Sequence, residues 1–304
     1  MRFSRRNFLC GVTALPISAA VPKFALAQLS LGTAKLSTVS DGTLVLPGSF
    51  IFEPMPKDEL SPLLNEMGVS SERLEPECNV TLYQDGQNTI LFDVGSGPDF
   101  MPSAGALIDS LDAAGVVPED VTHVVFTHAH PDHIWGLLDD FGDPVFTQAT
   151  YMMGRHEWDY WWDAETVNTI GDARAAFAVG AKRRMETIED TVELFDDGQE
   201  ILPGIAAFAT NGHTPGHMSF EIRNGSDSAL ILGDAIGNHH IAFRRPEWHS
   251  GSDQDTAMAA ATRRRLFDRI VGEKMNIIGF HLPGGGIGRA EASADGFRFI
   301  SEET

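Results

Sequence analysis

Short apolar runs with the character of β-strands alternate along the chain with segments of helical periodicity. Residues 79–83 and 89–93 flank Asp85-Gly86, a dipeptide typical of a tight hairpin turn. Residues 121–127 are rich in β-branched side chains, which is typical of a buried strand. Further strands are predicted at residues 205–209, 218–223 and 229–232.

The helical segments lie between these runs. Residues 104–114 carry a helical apolar face and follow Ser103, which is in position to cap the helix. Residues 150–190 are predicted to be mainly helical, and residues 255–273 to form one long helix. Strands interleaved with helices predict a layered α/β protein.

Composition narrows the class of protein. The chain has 304 residues, of which 43 are acidic and 22 are Lys or Arg, so its formal net charge is −21. A hydrophobic content of 42% supports a packed core and excludes wholesale disorder. The acidic surplus argues against nucleic acid or an anionic membrane as the main partner, because both would repel the chain. The length suits one large domain or two small ones.

Residues 1–27 have the layout of an export leader. They contain no acidic residue, and the Arg5-Arg6 pair resembles a twin-arginine signal. Ala25-Leu26-Ala27 supplies a small-residue cleavage site. We therefore expect the twin-arginine machinery to export the protein, cleavage to follow Ala27, and residues 28–304 to form a single periplasmic domain.

The competing interpretation of the leader is an N-terminal membrane anchor. Its apolar run, residues 10–21, is short and contains Pro16, so a stable anchor is not expected. Cleavage would remove Cys10 and leave Cys78. Neither cysteine belongs to a CxxC pair, so the sequence predicts no disulfide framework and no thiolate metal ligand.

The densest chemical motif is His128-Ala129-His130-Pro131-Asp132-His133, which follows the strand at residues 121–127. Side chains two residues apart in an extended backbone project to the same side of the strand, so His128 and His130 can bind one ion. Pro131 prevents a helix from starting upstream, and Asp132 and His133 then open a helical stretch. Four ligand-type side chains within six residues predict a metal site.

Three further candidates follow other predicted strands. His213 lies in Gly212-His213-Thr214-Pro215-Gly216-His217, Asp234 ends a hydrophobic strand, and His281 follows residues 276–279. A single histidine after a strand is more often a hydrogen-bonded loop residue. Together with the dense motif, these positions favour ligands drawn from several strand ends.

This set of motifs resembles the metallo-β-lactamase superfamily over about residues 36–299. The resemblance implies a four-layer αββα sandwich with the site at one edge of the paired sheets. It implies two divalent cations, the first held by His128, His130 and His213. The second would be held by Asp132, His133 and His281, with Asp234 bridging both.

Two other side chains are implied to orient this site without binding metal. Asp93 matches the family's first motif, although a simple turn carboxylate is the alternative. His217 is expected to be a supporting residue or to start a strand. Imidazole and carboxylate ligands suit Zn²⁺ best, with Mn²⁺, Fe²⁺ or Co²⁺ possible.

The resemblance also implies the chemistry. A hydroxide bridging the two cations would attack a carbonyl or phosphoryl centre, and Asp132 and Asp234 are the expected catalytic carboxylates. Asp132 is a candidate to relay the proton to the leaving group. The substrate is expected to be a small molecule.

Within the superfamily, the chain resembles the branch of N-acyl homoserine lactonases and methyl parathion hydrolase. The presence of Asp234 disfavours the β-lactamases proper, and only 23 residues follow His281, too few for the helical region of glyoxalase II-type enzymes. The sequence thus predicts an exported hydrolase of lactones or carboxylic esters, with phosphotriester hydrolysis as the alternative. A metal-binding protein without turnover and a mononuclear iron oxygenase are the rivals from other classes.

Two features of the expected pocket stay open. Trp158, Trp161 and Trp162 resemble an aromatic insert beside the family's pocket, yet core or dimer contacts are equally compatible with them. Residues 41–67 could form a lid over the pocket or an arm of a homodimer.

Overall fold

The computed structural model describes residues 27–225 and 227–302. The expected twin-arginine leader and Cys10 therefore lie outside the described residues, apart from Ala27. Ala27 is buried, and its carbonyl oxygen accepts a hydrogen bond from the Thr38 N–H at 3.2 Å.

The described residues form sixteen strands and nine α-helices. The strands are β1 (Gln28–Leu31), β2 (Ala34–Thr43), β3 (Leu46–Pro47), β4 (Arg73–Leu74), β5 (Glu77–Gln84), β6 (Thr89–Phe92), β7 (His123–Phe126), β8 (Thr150–Gly154), β9 (Glu193–Phe195), β10 (Glu200–Leu202), β11 (Ile205–Ala209), β12 (Met218–Asn224), β13 (Asp227–Gly233), β14 (Asn276–Gly279), β15 (Ile287–Ser293) and β16 (Gly296–Ser301). The helices are α1 (Gly48–Phe52), α2 (Lys57–Met67), α3 (Leu107–Ala113), α4 (Pro131–Ile134), α5 (Arg155–Trp162), α6 (Thr166–Thr169), α7 (Ala175–Met185), α8 (Ile241–Arg244) and α9 (Thr256–Glu273).

Fourteen of these strands form two seven-stranded sheets, in the orders β1-β2-β5-β6-β7-β8-β9 and β10-β11-β12-β13-β14-β15-β16. Strands β6 to β9 run parallel to one another, as do β13 and β14. The predicted hairpin is confirmed, since β5 and β6 pair antiparallel up to Gln84 and Thr89. The parallel strands place several carboxyl ends at one edge, where side chains from distant parts of the chain can meet.

The alternation of side chains along β13 shows how the layers stack. Ala229 and Ile231 point into the apolar core between the two sheets, whereas Leu230 and Leu232 pack on the opposite face. That opposite face is covered by α9 through residues such as Phe267. The outer face of the first sheet is covered in the same way by α3, α5 and α7. The predicted four-layer αββα sandwich is confirmed.

The predicted helical stretch 150–190 is wrong at its start. Residues Thr150–Gly154 form β8, which pairs parallel with β7. Tyr151 and Met153 face the outer core and Met152 faces the inner one, so this segment follows the two-residue period of a strand. The helices begin only with α5.

The predicted cap of α3 is also corrected. The helix begins at Leu107, and no hydrogen bond from Ser103 caps it. Instead, Oδ1 of the distant Asp41 accepts from the Leu107 N–H at 3.0 Å, and Oδ2 accepts from the Ser96 N–H at 2.8 Å. Burial raises the pKa of Asp41 to about 6. A tertiary contact therefore takes the place of the local cap.

Residues 41–67 belong to the body of the domain. They contain α1 and α2, and the buried side chains of Leu60 and Leu63 pack with Ile51 and with Ile241 of α8. Among the described residues, no helix combines the length and the apolar character needed to cross a bilayer.

We predict that Phe220→Ala destabilises the fold by about 3–5 kcal/mol, because Phe220 is fully buried between the sheets, where it contacts Phe92 and Phe195. Urea unfolding followed by circular dichroism measures the change. The matched control is Phe141→Ala, since Phe141 is 90% exposed and its loss should cost less than about 0.5 kcal/mol. Equal destabilisation by the two variants would contradict the packing described here.

Candidate metal centre and its cavity

Seven ligand-type side chains converge at one edge of the sandwich. The motif at residues 128–133 follows β7, Asp234 follows β13, and His281 follows β14. His213 comes from the connection between β11 and β12. The helix α4 begins at Pro131 and not upstream of it, and it turns Asp132 and His133 toward the histidines.

Three imidazoles form the first group. His130 Nδ1 lies 3.0 Å from His128 Nε2 and 2.9 Å from His213 Nε2. All three side chains are buried. Three ring nitrogens aimed at a common point are the arrangement that a divalent cation requires.

The second group consists of Asp132, His133 and His281. Asp132 Oδ2 lies 3.1 Å from His281 Nε2 and 3.5 Å from His133 Nε2. The Asp234 carboxylate lies between the two groups, with Oδ2 3.3 Å from the Nε2 atoms of both His213 and His281. The structure therefore brings together all seven side chains that the sequence selected.

Unsatisfied polar atoms within this cluster indicate what it binds. Asp132 Oδ2, His133 Nε2 and Asp234 Oδ1 are buried and have no hydrogen-bond partner. Such buried atoms are costly unless a ligand satisfies them. Carboxylate oxygens and imidazole nitrogens are ligands for divalent cations such as Zn²⁺, so the residues fit metal binding.

The second ring nitrogen of each of four histidines is held by a group outside the cluster, which fixes the orientation of the ring. The contacts are His128 Nδ1 to Thr127 Oγ1 at 2.9 Å, His133 Nδ1 to Asp93 Oδ2 at 2.8 Å, His213 Nδ1 to Asp253 Oδ1 at 3.1 Å and His281 Nδ1 to the Glu77 carbonyl oxygen at 2.8 Å. The nitrogens facing the cluster are therefore the ones left free to bind a cation.

Asp93 supports the site from an uncommon backbone conformation. Its φ of 69° lies in the left-handed region, which Asp tolerates better than most residues. Its carboxylate accepts hydrogen bonds from the Thr127 N–H at 2.7 Å, the Thr127 hydroxyl at 2.8 Å and His133. Asp93 thus joins the end of β6 to the histidine motif.

His217 lies behind the cluster. Its Nε2 accepts from the Asp234 N–H at 2.9 Å, so this nitrogen has no lone pair left for a metal. Burial, followed by the proximity of His213, lowers the pKa of His217 to about 3, which keeps the ring neutral. Gly233 is required beside it, because φ is +53° and a Cβ would lie 2.7 Å from His217 Nε2.

The electrostatics of the two groups differ. Burial and the neighbouring imidazoles hold the pKa values of His128 and His130 well below the ordinary value, so both rings are neutral. Burial opposes charge on His133 and His281 as well, but Asp234 and the other carboxylates raise their pKa values well above the ordinary range. The second group therefore has a strong preference for positive charge, which a divalent cation supplies.

Sequence reasoning missed two buried acidic residues that support the site. Asp253 accepts from His213 and forms an ion pair with Arg263 at 2.7 Å. Arg263 is itself buried. No sequence motif surrounds Asp253. Its role depends on its contact with His213, which lies 40 residues earlier in the chain.

Glu157 is the other missed residue. It is fully buried, and its Oε1 accepts from the Ala129 N–H at 3.0 Å and from Trp161 Nε1 at 2.6 Å. Its Oε2 accepts from Thr214 Oγ1 at 2.7 Å and from the Gly216 N–H at 3.0 Å. Glu157 therefore ties α5 to the loops that carry His128, His130 and His213.

The Cys78 thiol lies close to the second group, within 4.8 Å of ligand atoms of Asp132 and His281. Burial raises its pKa to about 11, so the thiol is protonated near neutral pH. The protonated thiol therefore packs beside His281.

A cavity of about 190 Å³ opens onto the cluster. Its lining is mainly apolar and includes Leu44, Phe50, Phe100 and Phe177. No residue lining it in the described part of the chain is Lys or Arg. The segment 41–67 thus supplies part of the cavity wall.

The expected tryptophan wall is not part of this cavity, because Trp158, Trp161 and Trp162 are absent from its lining. Trp158 stacks on Trp162 at 5.1 Å between ring centroids, and the Trp161 ring lies 5.7 Å from the His130 ring. The face of α5 that carries them packs against the core and behind His130. The aromatic walls come instead from Phe50, Phe100 and Phe177.

Comparisons with known proteins agree with this geometry. The family model of the metallo-beta-lactamase superfamily matches residues 75–272. An N-acyl homoserine lactonase from a Bacillus species is 22% identical over 248 residues, covering 80% of this chain and 87% of the relative.

Two solved structures share the fold over nearly the whole chain. AidC, a dizinc quorum-quenching lactonase in complex with a product, has a TM-score of 0.86 at 24% identity and covers 92% of this chain and 98% of its own. The hydrolase AbOPH of the beta lactamase superfamily has a TM-score of 0.85 at 25% identity, with the same coverage of both chains.

The fold and the cluster of imidazoles and carboxylates define a metal-dependent hydrolase. The chain belongs to the metallo-beta-lactamase superfamily and is related to its lactonases.

We predict that Asp253→Asn weakens zinc binding by about tenfold or more, because the loss of charge behind His213 makes its ring a poorer ligand. Competition with a chromogenic chelator measures the affinity. Asp255→Asn is the matched control, since Asp255 is exposed and caps α9, a role that Asn fills equally well. An unchanged zinc affinity in Asp253→Asn would show that Asp253 does not support the metal centre.

Proposed function

We propose that this protein is an exported, dinuclear-metal hydrolase that opens a lactone or cleaves a carboxylic ester. The observation that carries the proposal is the position of Asp234 between two groups of ligand-type atoms at the floor of an apolar cavity. His128, His130 and His213 would hold one cation, and Asp132, His133 and His281 the other. Asp234 would bridge them.

Zn²⁺ is the metal we favour, with Mn²⁺, Fe²⁺ or Co²⁺ as alternatives. Two such cations supply Lewis acidity and make a hydroxide nucleophile available from water near neutral pH. The chain itself contributes position and proton transfer. Asp132 lines the cavity beside the second group of ligands, so its carboxylate is the candidate to relay a proton to the leaving alkoxide.

The lining of the cavity supports an uncharged substrate. In the described part of the chain the lining contains no Lys or Arg and includes the carboxylates of Glu75 and Glu77, so no side chain in it offers a positive partner to an anionic group. A lactone or ester is neutral until it is cleaved, so it fits this lining. The lactonase activity named for the Bacillus relative and for AidC points to the same class of substrate.

A phosphotriester hydrolase is the second candidate. A phosphotriester is also uncharged and apolar, so the same lining admits it. The two reactions differ in the centre attacked, carbon in the ester and phosphorus in the triester, and kinetic comparison separates them.

We predict that Asp132→Asn and Asp234→Asn each lower kcat by about 100-fold or more on the best substrate, because each removes a negative charge at the reacting centre. The zinc-loaded protein is assayed against an acyl lactone, a carboxylic ester and a phosphotriester, and metal content is measured by elemental analysis. The control is Asp140→Asn, an exposed position on the loop after α4.

A higher kcat/KM for the lactone or ester supports the first candidate, and a higher value for the phosphotriester supports the second. Full activity of both aspartate variants at normal metal content would refute the mechanism. Two bound ions without hydrolysis of any of the three substrates would favour a binding protein.

For the leader, we predict that replacing both Arg5 and Arg6 with Lys blocks export and leaves an uncleaved precursor in the cytoplasm, because the paired arginines are the signal. Cell fractionation and N-terminal sequencing measure this, with Gln28 as the first residue of the wild-type periplasmic form. Arg2→Lys is the control. Normal export of the double variant would contradict the twin-arginine route.

A further inference from the structure

His130 presents a different ring nitrogen to the cluster from the other four ligand histidines. Its Nδ1 faces the first group, 3.0 Å from His128 Nε2 and 2.9 Å from His213 Nε2, so its Nε2 lies on the far side of the ring. The outer nitrogens of the other four rings are held by a hydroxyl, a carboxylate or a backbone carbonyl. The outer Nε2 of His130 faces the side-chain amide of Gln254, whose nitrogen lies 3.5 Å away. Gln254 therefore occupies the place that an acceptor occupies behind the other rings.

The backbone of Gln254 is tied to the loop that carries His213. The Gln254 N–H donates to the His213 carbonyl oxygen at 3.1 Å. One residue earlier, the Asp253 carboxylate lies 3.1 Å from His213 Nδ1. Two consecutive side chains just before α9 thus face two rings of the first group, because Asp253 meets His213 and Gln254 meets His130.

Arg174 ties the residues just before Gln254 to another part of the fold. Its Nη2 donates to the carbonyl oxygens of Gly251 at 2.7 Å and Ser252 at 3.1 Å. Arg174 comes just before α7, 77 residues earlier in the chain than Gly251. The backbone that carries Gln254 is therefore anchored by two separate sets of hydrogen bonds, so its side chain has a defined position from which to reach His130.

The Gln254 amide lies between His130 and Tyr160. Its Oε1 accepts from the Tyr160 hydroxyl at 2.8 Å, which leaves the amide NH₂ facing the ring. A half-turn of the amide exchanges its oxygen and nitrogen within almost the same space, and the Tyr160 hydroxyl can then accept instead of donating. Both orientations are therefore compatible with the packing, and the proton on the His130 ring decides between them.

The ligand role of His130 determines where that proton lies. With a divalent cation on Nδ1, the neutral ring keeps its proton on Nε2, which is then a donor. An amide NH₂ facing this donor would leave the ring N–H without an acceptor, whereas the amide oxygen would satisfy it. Metal binding at Nδ1 therefore favours the orientation in which the Gln254 oxygen faces His130.

We propose that Gln254 is a positioning residue for His130, and that its side-chain oxygen accepts a hydrogen bond from His130 Nε2–H when Nδ1 binds a metal cation. This hydrogen bond fixes the plane of the ring and makes Nδ1 a better ligand, as acceptors behind metal-bound imidazoles generally do. Asp253 and Gln254 then act as one unit that aims two of the three imidazoles of the first group. The inference rests on the ligand role that the proposed function gives to His130.

The test compares two substitutions that keep the length of the Gln254 side chain. Gln254→Glu keeps an oxygen that accepts, and Gln254→Met keeps the bulk without an acceptor. Gln87→Met is the matched control, because Gln87 is exposed in the turn between β5 and β6.

Each zinc-loaded protein is labelled with ¹⁵N-histidine, and NMR of the ring nitrogens shows which one carries the proton and how fast that proton exchanges with water. His130 is the ligand ring that turns Nδ1 toward the cluster, so a metal-bound ring with its proton on Nε2 identifies its signal.

The His130 Nε2–H signal should exchange slowly in the wild type, in Gln254→Glu and in the control, and should be lost to fast exchange in Gln254→Met. Zinc affinity, measured by competition with a chromogenic chelator, should fall by about tenfold in Gln254→Met and should not fall in Gln254→Glu. A role in packing alone would leave Gln254→Met close to the wild type in both measurements, since Met fills the same space.

The outcomes distinguish this inference from the proposed function. An unchanged signal and affinity in Gln254→Met overturns the role of Gln254, and so does an equal loss in both Gln254 variants. A metal-bound His130 ring with its proton on Nδ1 overturns this inference together with the assignment of the first cation. If zinc binds at His130 but none of the three substrates is hydrolysed, the hydrolase proposal fails, and the NMR comparison still decides the role of Gln254.

Discussion

The metal centre depends on the burial of two carboxylates, Asp132 and Asp234, each of which keeps one oxygen that the neighbouring imidazoles do not hydrogen-bond. Both carboxylates are almost completely excluded from solvent, and each has an oxygen without a hydrogen-bond partner. Buried charge of this kind is destabilising unless opposite charge meets it. Divalent cations would resolve the conflict, since they would neutralise the carboxylates and bind the nitrogens that face them. The arrangement is therefore costly without metal and favourable with it.

The rest of the fold holds these carboxylates and the neighbouring imidazoles in position. Strands from both sheets end at the same edge, and the core between the sheets fixes their relative position. Behind the ligands, Asp93, Asp253 and Glu157 each accept several hydrogen bonds from different loops. Asp93 and Asp253 orient the rings of His133 and His213, and Glu157 holds the loops that carry His128, His130 and His213. Such support from behind is what gives a metal centre a defined geometry before a ligand arrives.

The candidate ligands could be selected from the sequence because they fall at strand ends in a dense and recognisable spacing. The supporting residues could not. Asp253 and Glu157 are isolated acids in a chain with 43 acidic residues, and only tertiary contacts distinguish them. The tryptophans of α5 were visible as aromatic residues, yet the sequence does not show which face of the helix meets the core.

The same limit applies to local structure. Residues 150–154 form a strand because β7 offers them a partner, and α3 is capped by Asp41 from another part of the chain. The sequence places His239 and His240 close behind Asp234, where surface positions are the more common outcome, and the structure shows that both line the cavity. The local sequence pattern therefore indicated the layers of the fold and the candidate metal ligands. The residues that line the cavity and those that hold the ligands could be identified only from their packing in the structure.

Anomalous X-ray diffraction at the zinc absorption edge, on crystals of the zinc-loaded protein, tests the central claim most directly. The account predicts two strong peaks, one beside His128, His130 and His213 and the other beside Asp132, His133 and His281, with the Asp234 carboxylate contacting both. A single peak, or two peaks with Asp234 turned away from them, would contradict it.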